Sequence, residues 1–469
     1  MKLTSPTLGP IVGHTTSNEA RIWFRGEFQD ALIEGTYRRC FGVVRWREKG
    51  KDWNKHKVGK LSPNFDMTGV FSIQGLVPKT IYEYQCGWLF VESELDAISQ
   101  SINFNWSDVD LFNFKSATDN YTSTNSFIVG SCRYLLKLFG GKFFDDRGDK
   151  TFRSILEQHE NNPIDAVLMI GDQIYADDLN FIAPDKRIDQ FFERYQTAFS
   201  QPHIRSLMSR IPTYMILDDH EIEDNWPNKA RKKDMTTLYP TAIHAYQIYQ
   251  CSHSPVFNLD NNGLMSGTPT RFWYSFTNGC TDWFIMDVRT ERIWDEAVDQ
   301  RQMIKKAQME ALINWLSDNS GRAKMIVSSV PFIPDLKSDV DDKWGGFLRE
   351  RTSILNYIFQ NNIKKVAFIS GDVHCSFTIE LTSPDYPSAK ILGIISSSLF
   401  WPYPHMESSD FTTNGTLAVS GKENFILTNP SKIYSIDNFA RIDVDGSGVS
   451  VSYYERKGKL LDETIRMNF

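Results

Sequence analysis

Two kinds of apolar pattern divide this chain. Up to about residue 118, short apolar or alternating segments recur at 20–24, 41–46, 69–73 and 81–86, separated by turns containing Gly, Pro and Asn. Segments of this length punctuated by turn residues predict strands, and a series of them predicts a small all-β sandwich. Within the stretch Leu76-Val77-Pro78-Lys79-Thr80-Ile81-Tyr82, the pattern is that of a tyrosine corner, with Tyr82 closing onto the preceding loop. Residues 104–114 are ambiguous and fit a last strand. The stretch 116–125 is polar and poor in apolar residues, so it is the expected linker.

Beyond it the pattern changes. Four continuous apolar runs, 127–129, 166–170, 214–217 and 366–370, each end at a turn and predict buried strands. Between them, 150–160 and 187–199 have helical periodicity. So does 300–316, with apolar Met303, Ile304, Ala307, Ala311, Leu312 and Trp315. Alternating strands and helices predict a layered α/β domain. Near the C-terminus, 439–445 and 449–454 flank Gly446-Ser447-Gly448 and predict a hairpin. The expected division is residues 1–118 and residues 119–469.

Composition narrows the function classes. The chain has 469 residues, 23% charged and 41% hydrophobic, with a formal net charge of −7. That is an ordinary globular balance with no global basic surface for nucleic acid, so no specific nucleic-acid binding is expected. No stretch approaches the ~18 apolar residues of a membrane span. The sequence from Met1 to Pro6 has no apolar core of a signal peptide, which makes a cytoplasmic location the expectation. Six cysteines are scattered without metal-knuckle or redox spacing. Cys40, Cys86, Cys251, Cys280 and Cys375 read as structural thiols.

Cys132 is different because of what surrounds it. Gly-Ser-Cys-Arg (130–133), Gly-Asp-Gln-Ile-Tyr-Ala-Asp (171–177), Leu-Asp-Asp-His-Glu (217–221) and Gly-Asp-Val-His (371–374) each follow one of the four apolar runs. Strand C-terminal ends are where open α/β sheets place their sites. Cys132, Asp172, Tyr175, Asp219, Asp372 and His374 are thus candidate metal ligands. Thiolate and imidazole suit zinc, copper or iron, whereas carboxylates suit calcium, magnesium or manganese.

These four patches, in this order, resemble the alkaline phosphatase D (PhoD-like) family of calcineurin-like metallophosphoesterases. Cys132 stands where the superfamily has its first metal-binding Asp, Tyr175 follows the bridging Asp172 by three, and Asp219-His220-Glu221 replaces Asn-His-Glu. Asp287-Val288-Arg289, Asp342-Lys343-Trp344 and Glu350-Arg351 also look like family landmarks. The resemblance implies an αββα sandwich metallophosphoesterase domain preceded by a small all-β, fibronectin type III-like domain. It implies one metal at Cys132, Tyr175, His374 and bridging Asp172, and another at Asp172, Asp219 and Asp372.

The ionised ligands carry about five negative charges, matched by a trivalent plus a divalent ion. With the phenolate, this favours Fe(III) in the Cys132/Tyr175/His374 position and Ca(II) in the carboxylate position, as a dinuclear or larger cluster, with Zn or Mn the alternative. PhoD-like enzymes are similar in using iron with calcium. His220 is the expected acid for the leaving group and Arg133 the expected partner of a phosphoryl oxygen. Asp218 is expected to orient His220, Asn225 to add a ligand, and Glu221 to have a structural role. The run 394–402 is a candidate pocket wall, and the stretches around Trp226 and Trp344 are candidate lids.

The expected activity is hydrolysis of phosphate esters, chiefly diesters and also monoesters, by metal-bound hydroxide on a small or polymeric substrate. The competing readings are a catalytically inactive binding or scaffold relative and a phosphoanhydride hydrolase. The chain has neither a P-loop nor a Gly-x-Ser-x-Gly elbow, so the phosphorus chemistry falls to metals.

Overall fold

The computed structural model describes residues 1–29, 38–92, 102–135, 137–138, 143–178, 184–260 and 265–469. Its first strands are β1 (Leu8–Thr15), β2 (Glu19–Arg25), β3 (Arg39–Glu48), β4 (Lys57–Lys60), β5 (Thr68–Gln74), β6 (Ile81–Val91) and β7 (Phe112–Lys115). They form two antiparallel sheets, ordered β1-β2-β5 and β4-β3-β6-β7. Alternate residues of both, among them Ile22, Phe24, Val44, Trp46, Phe71 and Tyr84, share one apolar cluster. The Val77 N–H donates to the Tyr82 hydroxyl at 2.8 Å, which makes the tyrosine corner.

Besides three pairs of two-residue strands, the rest of the chain forms β8 (Asn125–Gly130), β9 (Ala166–Met169), β10 (Thr213–Met215), β11 (Tyr274–Asn278), β12 (Thr281–Ile285), β13 (Ala323–Ser328), β14 (Val366–Ser370), β15 (Phe377–Thr382), β16 (Lys390–Ile395), β17 (Gly415–Thr416), β18 (Ile426–Thr428), β19 (Asn438–Val444), β20 (Gly448–Glu455) and β21 (Ile465–Asn468). One sheet runs β10-β9-β8-β19-β20-β21, and the other runs β11-β12-β13-β14-β16-β15-β18-β17. β8, β9 and β10 are mutually parallel, as are β12, β13, β14 and β16.

Side-chain alternation explains why these parallel strands read as unbroken apolar runs. Phe127, Val129 and Leu168 face Trp283, Met325, Ala367 and Ile394 between the two sheets. Ile128, Val167 and Met169 face the other way. There they meet helices α1 (Arg147–Asn161), α2 (Ile188–Ser200), α3 (Pro202–Met208) and α4 (Leu238–Tyr246). The outer face of the second sheet packs on α5 (Lys306–Ser317) and α6 (Leu348–Gln360). A strand buried on both faces has no polar side to show. β19 and β20 form the expected hairpin, with Val444 opposite Val449.

One expectation needs correction. The helix expected over 300–316 begins only at Lys306. The chain before it is not helical and bends at 303–304: Arg301 reaches Asp341, Gln302 pairs with Ile293, and the Met303 and Lys305 N–H groups donate to Glu350 and Glu291. Met303 and Ile304 are buried from this non-helical segment, so their helical spacing was accidental. The stretch expected as a polar linker is partly buried. The Ser116 hydroxyl is hydrogen-bonded to Thr80 O, the Ala117 N–H donates to Thr16 O, and the Thr118 N–H donates to Asn278.

The N-terminal sheets are also joined to the helical layer by buried groups. The Trp23 indole N–H donates to Ile248 O at 2.9 Å, and the Tyr84 hydroxyl donates to Ser209 O at 2.7 Å. The His14 N–H donates to the carbonyl of His253, whose side chain is fully buried. Burial, reinforced by Arg21, pushes the His253 imidazole down to about 4 and that of His14 down to about 3. Both rings are neutral in the fold, whereas the unfolded chain protonates them near 6.5. The stability they contribute is complete above 6.5 and is lost as pH falls through 6.5 toward 4. The slope is about 1.4 kcal/mol per pH unit for each ring. Urea unfolding between pH 7.5 and 5 should show this slope, and His253→Gln should flatten it by one ring's share. An unchanged slope in the variant overturns the assignment. No described helix is long and apolar enough to cross a membrane.

Candidate metal centre

The C-terminal ends of the parallel strands of both sheets meet at one edge. Residues 131–133, 171–177 and 217–221 leave β8, β9 and β10, and 371–374 and 396–401 leave β14 and β16. The approach is tight enough to demand glycine at two turns. A Cβ on Gly371 would sit 2.3 Å from Ser131 Oγ, and one on Gly171 (φ +113°) would sit 2.7 Å from Asp218 Cβ. Cys132, Asp172, Asp372 and His374 all have positive φ, at 55°, 55°, 67° and 47°. Each costs on the order of 1 kcal/mol or more, and such strain collects at functional sites.

Two groupings of ligand atoms are mutually within 4.8 Å: Asp172, Asp219 and His220, and Asp172, Asp218, Asp219 and Asp372. Asp172 belongs to both. Its Oδ2 lies 3.3 Å from Cys132 Sγ and 3.3 Å from the Tyr175 hydroxyl. His374 enters from the second sheet, its ring stacked on Trp401 with centroids 3.7 Å apart. Trp401 is also a ring neighbour of Tyr175, at 5.9 Å. The Ser397 hydroxyl accepts the His374 N–H at 3.0 Å. In this way the run 394–402 reaches the cluster.

Buried polar atoms without a hydrogen-bond partner lie together here: Asp172 Oδ1, Asp177 Oδ1, Asp218 Oδ2, Asp219 Oδ1 and His374 Nε2. Buried acceptors without donors are costly, and a cation among them meets that need. The charges point the same way. Burial holds the Cys132 thiol, the Tyr175 phenol and the Asp172 carboxyl well above their ordinary ranges, and neighbouring acids add to each. Burial does the same to Asp372, against opposition from Lys343 and Arg289. Burial lowers the His374 imidazole, leaving it neutral and able to ligate. A metal ion reverses the penalty on every one of these anions. The side chains therefore fit a metal centre.

His220 is held differently from expectation. Its Nδ1 is paired with Asp177 Oδ2 at 2.8 Å, and its ring lies against Tyr175 at 4.4 Å. Burial pulls this imidazole down, but Asp219, Asp177 and Asp172 outweigh burial and hold it well above the ordinary range. The residue orienting His220 is thus Asp177. Asp218, expected in that role, accepts from Arg289 Nε at 2.5 Å and from the Ser329 hydroxyl at 2.8 Å. Asn225 contributes its backbone N–H to Asp219 Oδ2 at 2.6 Å, and its amide turns to Asp224.

Glu221 is a fastener. Its carboxylate accepts the N–H groups of Asp172 (3.2 Å), Gln173 (2.7 Å) and Asp218 (2.9 Å), and the Gln250 amide at 2.9 Å. It therefore ties the turns after β9 and β10 together.

Arg133 does not join the cluster. Its guanidinium turns into the helical layer, donates to Ala198 O at 2.8 Å and lies over Phe152. The cations that the fold does bring here are Arg289 and Lys343. Arg289 donates to Asp218 and Asp342 and lies 3.5 Å from Asp219 and 3.7 Å from Asp372. Lys343 is bonded to Asp342 and Asp372. Arg289 was findable, because Asp287-Val288-Arg289 follows the apolar run of β12 as the other patches follow theirs. Lys343 follows no strand, and its signal was only the Asp342-Lys343-Trp344 landmark, which gave it no role. Trp226 and Trp344, the candidate lids, are core residues instead. Trp226 stacks on Tyr239, and Trp344 packs on Phe332 and donates to Ser328.

Residues 136–445, more than half of the chain, match the family model described as PhoD-like phosphatase. Alkaline phosphatase D of Bacillus subtilis (strain 168) is 24% identical over 229 residues, 44% of this chain and 38% of that protein. The match thus spans well under two-thirds of that relative. A solved structure described as PhoD superposes with a TM-score of 0.71 at 15% identity, covering 98% of this chain and 93% of the other, which shows a shared fold.

Proposed function

This chain belongs to the PhoD-like phosphatase family, and on that premise we propose that it is a metal-dependent phosphoric ester hydrolase acting chiefly on phosphodiesters. The observation that carries the reading is the convergence of ligand-type side chains, with unpartnered buried atoms, from the ends of both sheets. In this reading residues 1–118 are a β-sandwich domain and residues 119–469 an αββα sandwich, supported by the shared apolar cluster between the two large sheets.

Cys132, Tyr175, His374 and Asp172 hold Fe(III), and Asp172, Asp219 and Asp372 hold Ca(II). When bound, such ions supply Lewis acidity at the phosphoryl group and lower the pKa of water. The rest falls to the chain. Asp177 takes His220 Nδ1, which leaves Nε2 to give its proton to the departing alkoxide oxygen.

The test combines elemental analysis with turnover of bis(p-nitrophenyl) phosphate and of an alkyl diester. About one iron with calcium per chain, and hydrolysis of both, are the expected results. His220→Gln should retain both ions and lose about 10²-fold or more in kcat on the alkyl diester, whose leaving group needs the proton. Loss of metal from that variant would make His220 a ligand, a role its place beside Asp172 and Asp219 also allows. Full metal with no hydrolysis would favour a scaffold relative. Hydrolysis confined to nucleoside triphosphates would favour a phosphoanhydride hydrolase.

A further inference from the structure

The charge balance of the candidate centre is uneven. Arg289 and Arg292 are matched by Asp218 and Asp342: Arg289 spans both carboxylates, and Arg292 Nη1 donates to Asp342 at 2.5 Å. Two positive and two negative charges cancel there. Lys343 is left over. Its side chain is 6% exposed, and its ammonium donates to Asp342 at 2.8 Å and also to Asp372, which lies within ligand distance of Asp172 and Asp219. The Cys132 and Tyr175 side of Asp172 contacts no lysine or arginine in the described structure: its neighbours are Ser131, Trp401, Tyr134 and the ring of His220, whose charge is matched by its own partner Asp177.

We propose that Lys343 is a tethered cation that competes for the Asp219/Asp372 half of the centre and sets how tightly that half holds its metal ion. The inference rests on the two-metal reading above. The carboxylate position shares its negative charge with a fixed ammonium, so its ion exchanges readily. The Cys132/Tyr175/His374 position does not share its charge in this way, so its ion is retained. Lys343 acts through Asp372 and is a positioning residue, with ion affinity as its readout.

The experiment is calorimetric titration of calcium into iron-loaded protein, with iron measured after exhaustive dialysis. Removing a unit charge a few ångströms from a divalent ion is worth at least a factor of about ten in affinity, even in a well-screened site. Lys343→Met should therefore bind calcium about tenfold or more tightly than the wild type. Iron stoichiometry should not change, and Lys343→Arg should stay near the wild-type affinity. Should the methionine variant fail to fold, Lys343→Gln is neutral and can still hydrogen-bond Asp342, and it carries the same expectation. Calcium affinity equal to or weaker than wild type in the folded neutral variant overturns the proposal. Wild-type protein that binds neither ion overturns the two-metal reading instead, so the two failures are distinguishable.

Discussion

Asp172→Asn removes activity and leaves the fold intact. Asp172 belongs, with Asp219, to both ligand groupings, and it meets the Cys132 thiol and the Tyr175 hydroxyl with one carboxylate oxygen. An amide has nearly the same shape but no charge, so both ion positions lose their shared anion. The expected fall in kcat is about 10³-fold or more, the scale of the several kcal/mol that metal ions contribute to a charged phosphoryl transition state. Metal content should fall to one ion or none. Stability of the metal-free protein should not fall with it. Asp172 is fully buried among Asp218, Asp219 and Glu221, and in metal-free protein a neutral side chain there relieves repulsion. Turnover within tenfold of wild type sinks the assignment, and a drop in the metal-free melting temperature sinks the claim that Asp172 serves the metal rather than the fold.

Glu221→Leu should be the most destabilising single change near the centre. Four buried N–H groups, from Asp172, Gln173, Asp218 and Gln250, lose their acceptor at once. An unmet buried donor costs about 1–3 kcal/mol, and sharing among neighbours keeps the sum below four full penalties. A loss of about 3–5 kcal/mol in denaturant unfolding is expected. Glu221→Gln, which keeps one oxygen, should lose less. Metal affinity should fall in both, although Glu221 is bonded to backbone and to Gln250, because the turns carrying Asp172 and Asp218-Asp219 are no longer tied together. Wild-type stability in the leucine variant would mean that these donors find other acceptors, and the fastening role would be wrong.

Comparing the two residues shows what kind of information each used. Asp172 is legible in the chain because it ends an apolar run, with Gly171 before it and Tyr175 after it. Glu221 could be placed beside His220 by pattern, but its four donors come from residues up to 49 positions away in sequence, and only the fold brings them together. Arg133 shows the reverse error. It adjoins Cys132 in sequence, yet successive side chains at a strand end point to opposite sides, and its guanidinium turns toward α1 and α2.

The sequence by itself determined four of the N-terminal strands, the tyrosine corner, the C-terminal hairpin and the four buried strands with the turns that carry the candidate ligands. Those features follow from local periodicity and from residue types that a strand end or tight turn demands. The tertiary structure alone decided that Asp177 holds His220, that Arg289 and Lys343 share the carboxylates, that Trp226 and Trp344 lie in the core, and that 301–305 are not helical. Hydrogen bonds, ion pairs and burial form between whichever groups are close in space, and closeness across two sheets leaves no period in the chain.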